Sequence, residues 1–259
     1  MEEIDFLDHV PGTGLLKLFK FKEIYQLLKR NVIRCFSRKR RIVIYGESGS
    51  GKTQFLHTFL GIEHFDEQRT QTIDEYPMKL SSGHKVIFID TPGNQSLSYI
   101  RQQLAARYAK NEICGIINIV AYGYQSVPNT DLARVFNVDT NEVKPQFLDE
   151  NKQRELRQLE EWKLYVTADS GVKWFITIVN KADIWYGNME NTMAYYQSGP
   201  YHEAIRELVN VCKVMSYPFC SLIAPFFNRR MPLEMSQREQ IKMHKNFKKK
   251  LIELITEYA

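Results

Sequence analysis

The run Gly46-Glu47-Ser48-Gly49-Ser50-Gly51-Lys52-Thr53 stands between two segments of opposite habit. Before it, Arg41-Ile42-Val43-Ile44-Tyr45 is apolar and β-branched, as a buried strand is. After it, Gln54 to Leu60 reads as a helix that Gly61 stops. Strand, glycine-rich loop and helix in that order commit this stretch to a β–α unit of an α/β fold. The spacing is G-x-x-x-x-G-K-[ST]. Gly46, Gly49 and Gly51 let the backbone curl so that its N–H groups point inward, where an anion with several charges can be held without a bulky side chain in the way. The helix that begins near Lys52 adds the positive end of its dipole. Lys52 is placed to reach the β- and γ-phosphates of a nucleoside triphosphate, and Thr53 to put its hydroxyl on Mg²⁺.

The remaining chain repeats the alternation. Thr72 to Leu80 has the period of a half-exposed strand, and Ser81-Ser82-Gly83-His84 is a tight turn. Lys85 to Asp90 is a buried strand, and so short a turn makes the two an antiparallel hairpin. Ser96–Lys110 is expected to be a helix, Ile113–Ala121 a buried strand, and residues 122–149 irregular. Glu150–Val166 is rich in helix formers. A strand is expected at Val172–Asn180, a helix at Tyr201–Val214, a last strand at Phe219–Ala224 and a closing helix at Arg238–Tyr258. The sum is a doubly wound, mostly parallel α/β sheet with one antiparallel edge strand.

Residues 1–40 stand apart from this pattern. Leu15 to Phe36 carries apolar residues at helical spacing, with Lys17, Lys20, Lys22, Lys29, Arg30 and Arg34 on much of the other face. That is an amphipathic helical extension, suited to packing along a domain flank with its basic face wet, and also to a partner or a membrane surface. The domain proper then runs over 41–259. Net charge is +5, concentrated in Arg38–Arg41 and in Lys245–Lys250. Two local tracts of this kind are weak grounds for nucleic acid. The four cysteines form no C-x-x-C pair and no metal spacing, which suits a reducing compartment. The acidic start lacks the basic region of a signal peptide, and the longest apolar run, Ile113–Tyr124, is too short for a membrane span. The expected location is cytoplasmic, with a peripheral membrane association compatible.

Two further motifs end apolar strands, where a sheet of this type carries ligands. They are Asp90-Thr91-Pro92-Gly93 and Asn180-Lys181-Ala182-Asp183. With the first loop they make the ordered set GESGSGKT, DTPG, NKAD. This set resembles the G1, G3 and G4 motifs of the translation-factor/Ras-like class of P-loop GTPases, over roughly residues 41–225. The resemblance implies GTP and GDP as ligands, with Mg²⁺. Asp183 corresponds to the reader of guanine, since a carboxylate accepts from both the ring N1–H and the exocyclic amine, a donor pair that adenine lacks. Asn180 would tie the base loop to the phosphate loop, and the Lys181 stem would lie over the base. Asp90 corresponds to the aspartate linked to Mg²⁺ through water, and Gly93 to the glycine whose N–H senses the γ-phosphate. Ala224 takes the position of the backbone contact to the base, although the usual small-residue–Ala–Lys signature is missing.

The same resemblance calls for a Mg²⁺-ligating threonine in switch I. Thr70 and Thr72 both fit the spacing from Lys52, and Thr72 is preferred. Arg69 then stands three residues before it, as in the α-subunits of heterotrimeric G proteins, where an arginine in cis neutralises transition-state charge. The family's water-orienting glutamine is replaced by Asn94, with Gln95 one later. Asparagine is shorter, so hydrolysis is expected to be slow or completed by a partner or a second protomer.

From Asp90 to Asn180 the chain is longer than a minimal G domain, and the excess is an insertion around 122–172. This insertion, the switch regions and the N-terminal helix are the expected surfaces for a protein effector or a homodimer. Two classes of function follow. One is a switch that binds and hydrolyses GTP. The other is an interaction module that holds GTP as a structural or sensory ligand. A P-loop kinase would leave Asn180–Asp183 unexplained.

Overall fold

The structure is a computed structural model that describes residues 40–62, 73–79, 85–93, 99, 113–163, 166, 171–227 and 235–258. Strands β1 (Arg40–Tyr45), β2 (Asp74–Lys79), β3 (Lys85–Asp90), β4 (Ile113–Val120), β5 (Trp174–Val179) and β6 (Lys213–Pro218) form one sheet in the order β2-β3-β1-β4-β5-β6. β1 pairs parallel with β3 and β4, and β4, β5 and β6 continue parallel, while β2 runs antiparallel to β3. The expected antiparallel edge is therefore β2. Pro77 lies within it, tolerable because an edge strand leaves one side unpaired.

Alternation along the strands divides the core in two. Ile42, Ile44, Val86, Phe88, Ile117, Ile119, Ile176 and Ile178 face one way, against Phe55, Leu56 and Phe59 of α1 (Lys52–Leu60). Phe247, Leu251, Leu254 and Ile255 of the C-terminal helix Gln237–Glu257 close the same face. Phe55 sits at the centre of that layer, 5.0 Å from the Phe219 ring and 5.8 Å from Phe247. Burying a ring of this kind contributes about 1.5–3 kcal/mol. On the other face Val43, Tyr45, Ile87, Ile89, Ile116, Phe175 and Val179 meet helices drawn from residues 145–205. A sheet covered on both faces accounts for strands that read as continuous apolar runs.

Helix boundaries differ from the sequence expectation in three places. Residues 122–149 are not wholly irregular. A short helix α2 (Leu132–Val135) starts where the Asp131 side chain accepts the Ala133 N–H, and α3 (Pro145–Lys163) begins five residues before Glu150. Pro145 opens α3, the position where its missing N–H and fixed φ do no harm. After β5 come two helices that the sequence pattern did not separate, α4 (Ala182–Trp185) and α5 (Met189–Gln197). The helix expected over Tyr201–Val214 is α6 (Pro200–Ile205), followed by a 3₁₀ segment over Arg206–Asn210.

The last strand is also displaced. Phe219–Ala224 is a loop, and β6 precedes it at Lys213–Pro218. Phe219 and Cys220 are apolar because they pack beneath the C-terminal helix (α7, Gln237–Glu257), not because they pair in the sheet. Ser236 and Glu239 form a capping box at the start of α7. Among the described residues no helix is long and apolar enough to cross a membrane. Apart from Tyr99, the helix expected at Ser96–Lys110 lies outside the described residues, as do the turn Ser81–His84 and the amphipathic segment Leu15–Phe36.

One contact in the sheet leaves no slack. Gly115 of β4 is paired in register with Trp174 of β5, and a Cβ added at Gly115 would lie 2.2 Å from the buried indole. Gly115→Ala is therefore expected to lower stability by about 1–3 kcal/mol through overpacking, read as a shifted midpoint in urea unfolding.

Candidate functional site

The loops at the C-terminal ends of β1, β3 and β5 meet over the sheet. The glycine-rich loop Gly46–Gly51 leaves β1 and enters α1 at Gly51, whose φ of 90° is left-handed and whose added Cβ would stand 2.5 Å from the Asn180 amide nitrogen. Only glycine permits that backbone with another loop so close. Lys52 is buried, and its Nζ donates to the Glu47 carbonyl at 3.2 Å, spanning the loop from the helix side. Glu47, Ser48, Gly49 and Ser50 complete the curl, with Ser50 N–H donating to Glu47 O at 3.2 Å.

Next to the loop lies the candidate metal end. Thr53 Oγ1 donates to Asp90 Oδ2 at 2.8 Å, so the two oxygens expected around Mg²⁺ are adjacent. Asp90 is buried at the end of β3, and Thr91 Oγ1 fastens the turn after it to Ile44 O at 2.9 Å. A Cβ at Gly93 would fall 2.3 Å from Lys52 Nζ and 2.7 Å from the Ser48 nitrogen. The space in front of the phosphate loop is thus one that a side chain at Gly93 would fill. A hydroxyl and a carboxylate, hard oxygen donors beside a lysine and a cradle of N–H groups, suit a Mg²⁺ ion held together with phosphates. Among the described residues no cluster of three His, Cys, Asp or Glu competes as a metal site.

The candidate base end is built by Asn180. Its Nδ2 donates to Ser50 O at 2.9 Å, and its Oδ1 accepts from both Ser221 N–H and Ser221 Oγ at 3.0 Å. One buried amide thus joins the phosphate loop, the end of β5 and the loop after β6. Lys181 has a left-handed φ of 61°, and its Nζ donates to Tyr124 O at 2.7 Å and Ser126 Oγ at 2.8 Å. Enclosure pushes the Lys181 ammonium down to about 7, against the opposing pull of the Asp183 carboxylate. Asp183 accepts from Cys220 Sγ at 3.4 Å and from Ala224 N–H at 3.4 Å. Burial raises its carboxyl above the ordinary value, and these two donors work against that rise. Burial, followed by the neighbouring carboxylate, pushes the Cys220 thiol up, so it stays protonated and donates.

Gly46, Lys52, Thr53, Asp90, Gly93, Asn180, Lys181, Asp183 and Ala224 are accordingly gathered on one side of the sheet. Ala224 comes there from a loop instead of the expected strand, and its amide is turned to Asp183. Arg69, Thr70, Thr72, Asn94 and Gln95 lie outside the described residues. Three participants had no motif of their own to mark them: Ser221, Cys220 and Ser126. Ser126 N–H donates to Gly49 O at 3.1 Å. Gln240 and His244 of α7 both reach Cys220 O, at 3.1 Å and 2.5 Å, and steady the loop behind Asp183.

A mostly parallel sheet of this order, with a glycine-rich loop that leads from its first strand into a helix, defines a P-loop α/β nucleotide-binding domain. Residues 41–168 match the family described as 50S ribosome-binding GTPase, and the chain carries a P-loop G domain. Among solved structures, one titled "The Structure of the Mammalian SRP Receptor" is similar at 15% identity and a TM-score of 0.47, over 81% of this chain and 99% of that one. No curated protein matches.

Asn180→Ala removes the bridge between the two ends of the site. It is expected to weaken nucleotide binding by about tenfold or more and to lower stability by about 1–3 kcal/mol, measured by fluorescent-nucleotide titration and urea unfolding.

Proposed function

We propose that this chain is a guanine-nucleotide-binding switch that binds GTP with Mg²⁺ and hydrolyses it to GDP. The observation that carries the reading is the Asn180 bridge, which sets the Asp183 carboxylate at a fixed position relative to the phosphate loop. A base reader locked to a phosphate cradle selects a whole nucleotide and not a phosphate alone. Asp183 accepts the two N–H groups that guanine presents side by side, and an adenine there would leave a buried carboxylate unmatched.

The residues divide the work along the triphosphate. Gly46 to Gly51 supply inward N–H groups, and Lys52 draws charge from the β- and γ-phosphates. Thr53 and Asp90, with Thr72, would hold Mg²⁺, which supplies neutralisation of phosphate charge when bound. Gly93 N–H is placed to sense the γ-phosphate. Water attacks the γ-phosphorus and the bond to the β-phosphate oxygen breaks, giving GDP and inorganic phosphate. Arg69 is the candidate to neutralise charge in that transition state, and Asn94 takes the sequence position of the family's water-orienting glutamine. Asparagine is a methylene shorter than glutamine, so turnover is slow or awaits a partner's group. Asn94 equally favours the second reading, an interaction module that holds GTP without turnover. A protein effector or a second protomer would read the nucleotide state at the switch regions, the N-terminal helix or the 122–172 insertion.

Competition between GTP and ATP for the fluorescently labelled protein tests the base assignment, and equal competition would sink it. Asp183→Asn exchanges an acceptor for a donor. It is expected to lose GTP affinity by about a hundredfold while gaining xanthosine triphosphate, whose ring offers a carbonyl at the same place. Single-turnover hydrolysis separates the two functions. In the switch, Arg69→Ala lowers the rate about tenfold or more with GTP affinity unchanged, and an unchanged rate removes Arg69 from the mechanism.

A further inference from the structure

Glu155 of α3 is a carboxylate buried to 1% exposure in the half of the core that supports the C-terminal end of β4. Its Oε1 accepts from Ala121 N–H at 2.9 Å, from Gly123 N–H at 3.4 Å and from the Gln125 side-chain amide, and its Oε2 accepts from Tyr196 OH at 2.7 Å. All of these partners are donors, an arrangement that favours the ionised form, while burial pushes its carboxyl up. A buried acidic group with this many bonds into one turn is holding that turn.

The turn needs holding. Tyr122 has a φ of 51° and Gly123 a φ of 87°, two left-handed residues in succession, with Tyr124 N–H closing on Ala121 O at 2.9 Å. That is the conformation of a tight mirror-image turn, strained for a tyrosine, and it persists where the surroundings over-determine it. The surroundings do so here. Tyr122 N–H donates to Tyr196 OH at 3.0 Å, and Asn151 Nδ2 donates to Gly123 O at 2.8 Å. Downstream, the turn delivers Tyr124 O and Ser126 Oγ to Lys181 Nζ, and Ser126 N–H to Gly49 O. None of the Glu155 hydrogen bonds goes to the phosphate loop or to the base loop, yet the segment it clamps braces both.

We propose that Glu155 is the positioning residue of the nucleotide site: it fixes the Ala121–Gln125 turn so that Ser126 braces the phosphate loop and Tyr124 and Ser126 hold the Lys181 ammonium. Its effect on ligand rests on the guanine-nucleotide reading above. Its effect on the turn does not.

Glu155→Gln keeps the volume and sets an NH₂ group among donors. With mant-GDP as probe, the variant is expected to release nucleotide about tenfold faster than the parent protein. In nucleotide-free protein, hydrogen exchange at the Ser126 amide is expected to rise. Leu159→Ala, one turn along the same helix and fully buried, is the control for stability alone: its melting temperature falls while mant-GDP release and Ser126 exchange stay at parental values. Ser126→Ala also speeds release, and in the Glu155→Gln background it adds nothing, because both changes break one chain of contacts. Tyr196→Phe keeps the ring and removes the hydroxyl that donates to Glu155 and accepts from Tyr122 N–H, so it carries the test of the clamped turn if Glu155→Gln does not fold, with the same sign. Parental release and parental Ser126 exchange in the folded variant overturn the proposal, and so does a Leu159→Ala protein that loses nucleotide equally fast. A parent that binds no guanine nucleotide would refute the proposed function, and the Ser126 exchange would still decide the role of Glu155.

Discussion

The side chain of Asn180 is the constraint on which the arrangement of the site depends. Its amide donates to the Ser50 carbonyl and accepts twice from Ser221, all while buried. An amide has few ways to satisfy its polar atoms inside a protein, and each unsatisfied one costs about 1–3 kcal/mol. The bridge therefore has one geometry, and three loops that start from different strands must respect it. The strand order makes this possible. Only β4 separates β1 from β5, and β6 pairs with β5, so the loops after β1, β5 and β6 leave the sheet close to one another. Their C-terminal ends face the same crevice, where an open α/β sheet places its ligands.

The two-sided core transmits that geometry to the rest of the molecule. On one face Phe55 meets Phe219 and Phe247 edge-to-face and Phe59 meets Phe247 in the same way, so the helix that follows the glycine-rich loop is seated on the loop that carries Cys220 and on α7. His244 of α7 lies flat on Phe219 at 4.6 Å and bonds Cys220 O. On the other face Tyr196 and Tyr201 pack at 4.8 Å beneath the Glu155 turn. Asn118 Nδ2 donates to Tyr201 OH at 2.6 Å, carrying the polar network into β4 itself. The base end is thus supported from one face and the Lys181 brace from the other.

Much of this was legible in the chain. β1, β3, β4 and β5 are buried on both faces, so they are written as unbroken apolar runs, and the three motifs stand at their ends. What was illegible has physical reasons. β6 is an edge strand, half-buried, with Lys213, Ser216 and Pro218 diluting its pattern, while the following Phe219-Cys220 looks like a strand because a loop that fills a core must be apolar. Glu155 left a faint signal. It precedes Leu159 by one helical turn, and side chains four apart share a helix face. A glutamate in line with a core leucine is a carboxylate headed for the interior. The bonds it makes there depend on Tyr122 adopting a left-handed backbone, which no spacing announces.

The same logic of buried acceptors bears on the selectivity proposed for Asp183. Asp183 sits where solvent cannot serve both oxygens, so it takes what donors the chain provides: a thiol at 3.4 Å and a backbone amide at 3.4 Å. A thiol is a weak donor, and both bonds are long. On the proposed reading, a base that brings a ring N–H and an amine together would replace them with two stronger bonds to a charged acceptor. A base that brings an acceptor instead meets a carboxylate that it cannot satisfy, at a position that Asn180 does not allow to shift. On the proposed reading, selectivity would be a property of the enclosure and its bridge as much as of the carboxylate, and moving the loop that carries Cys220 would erode it even with Asp183 in place.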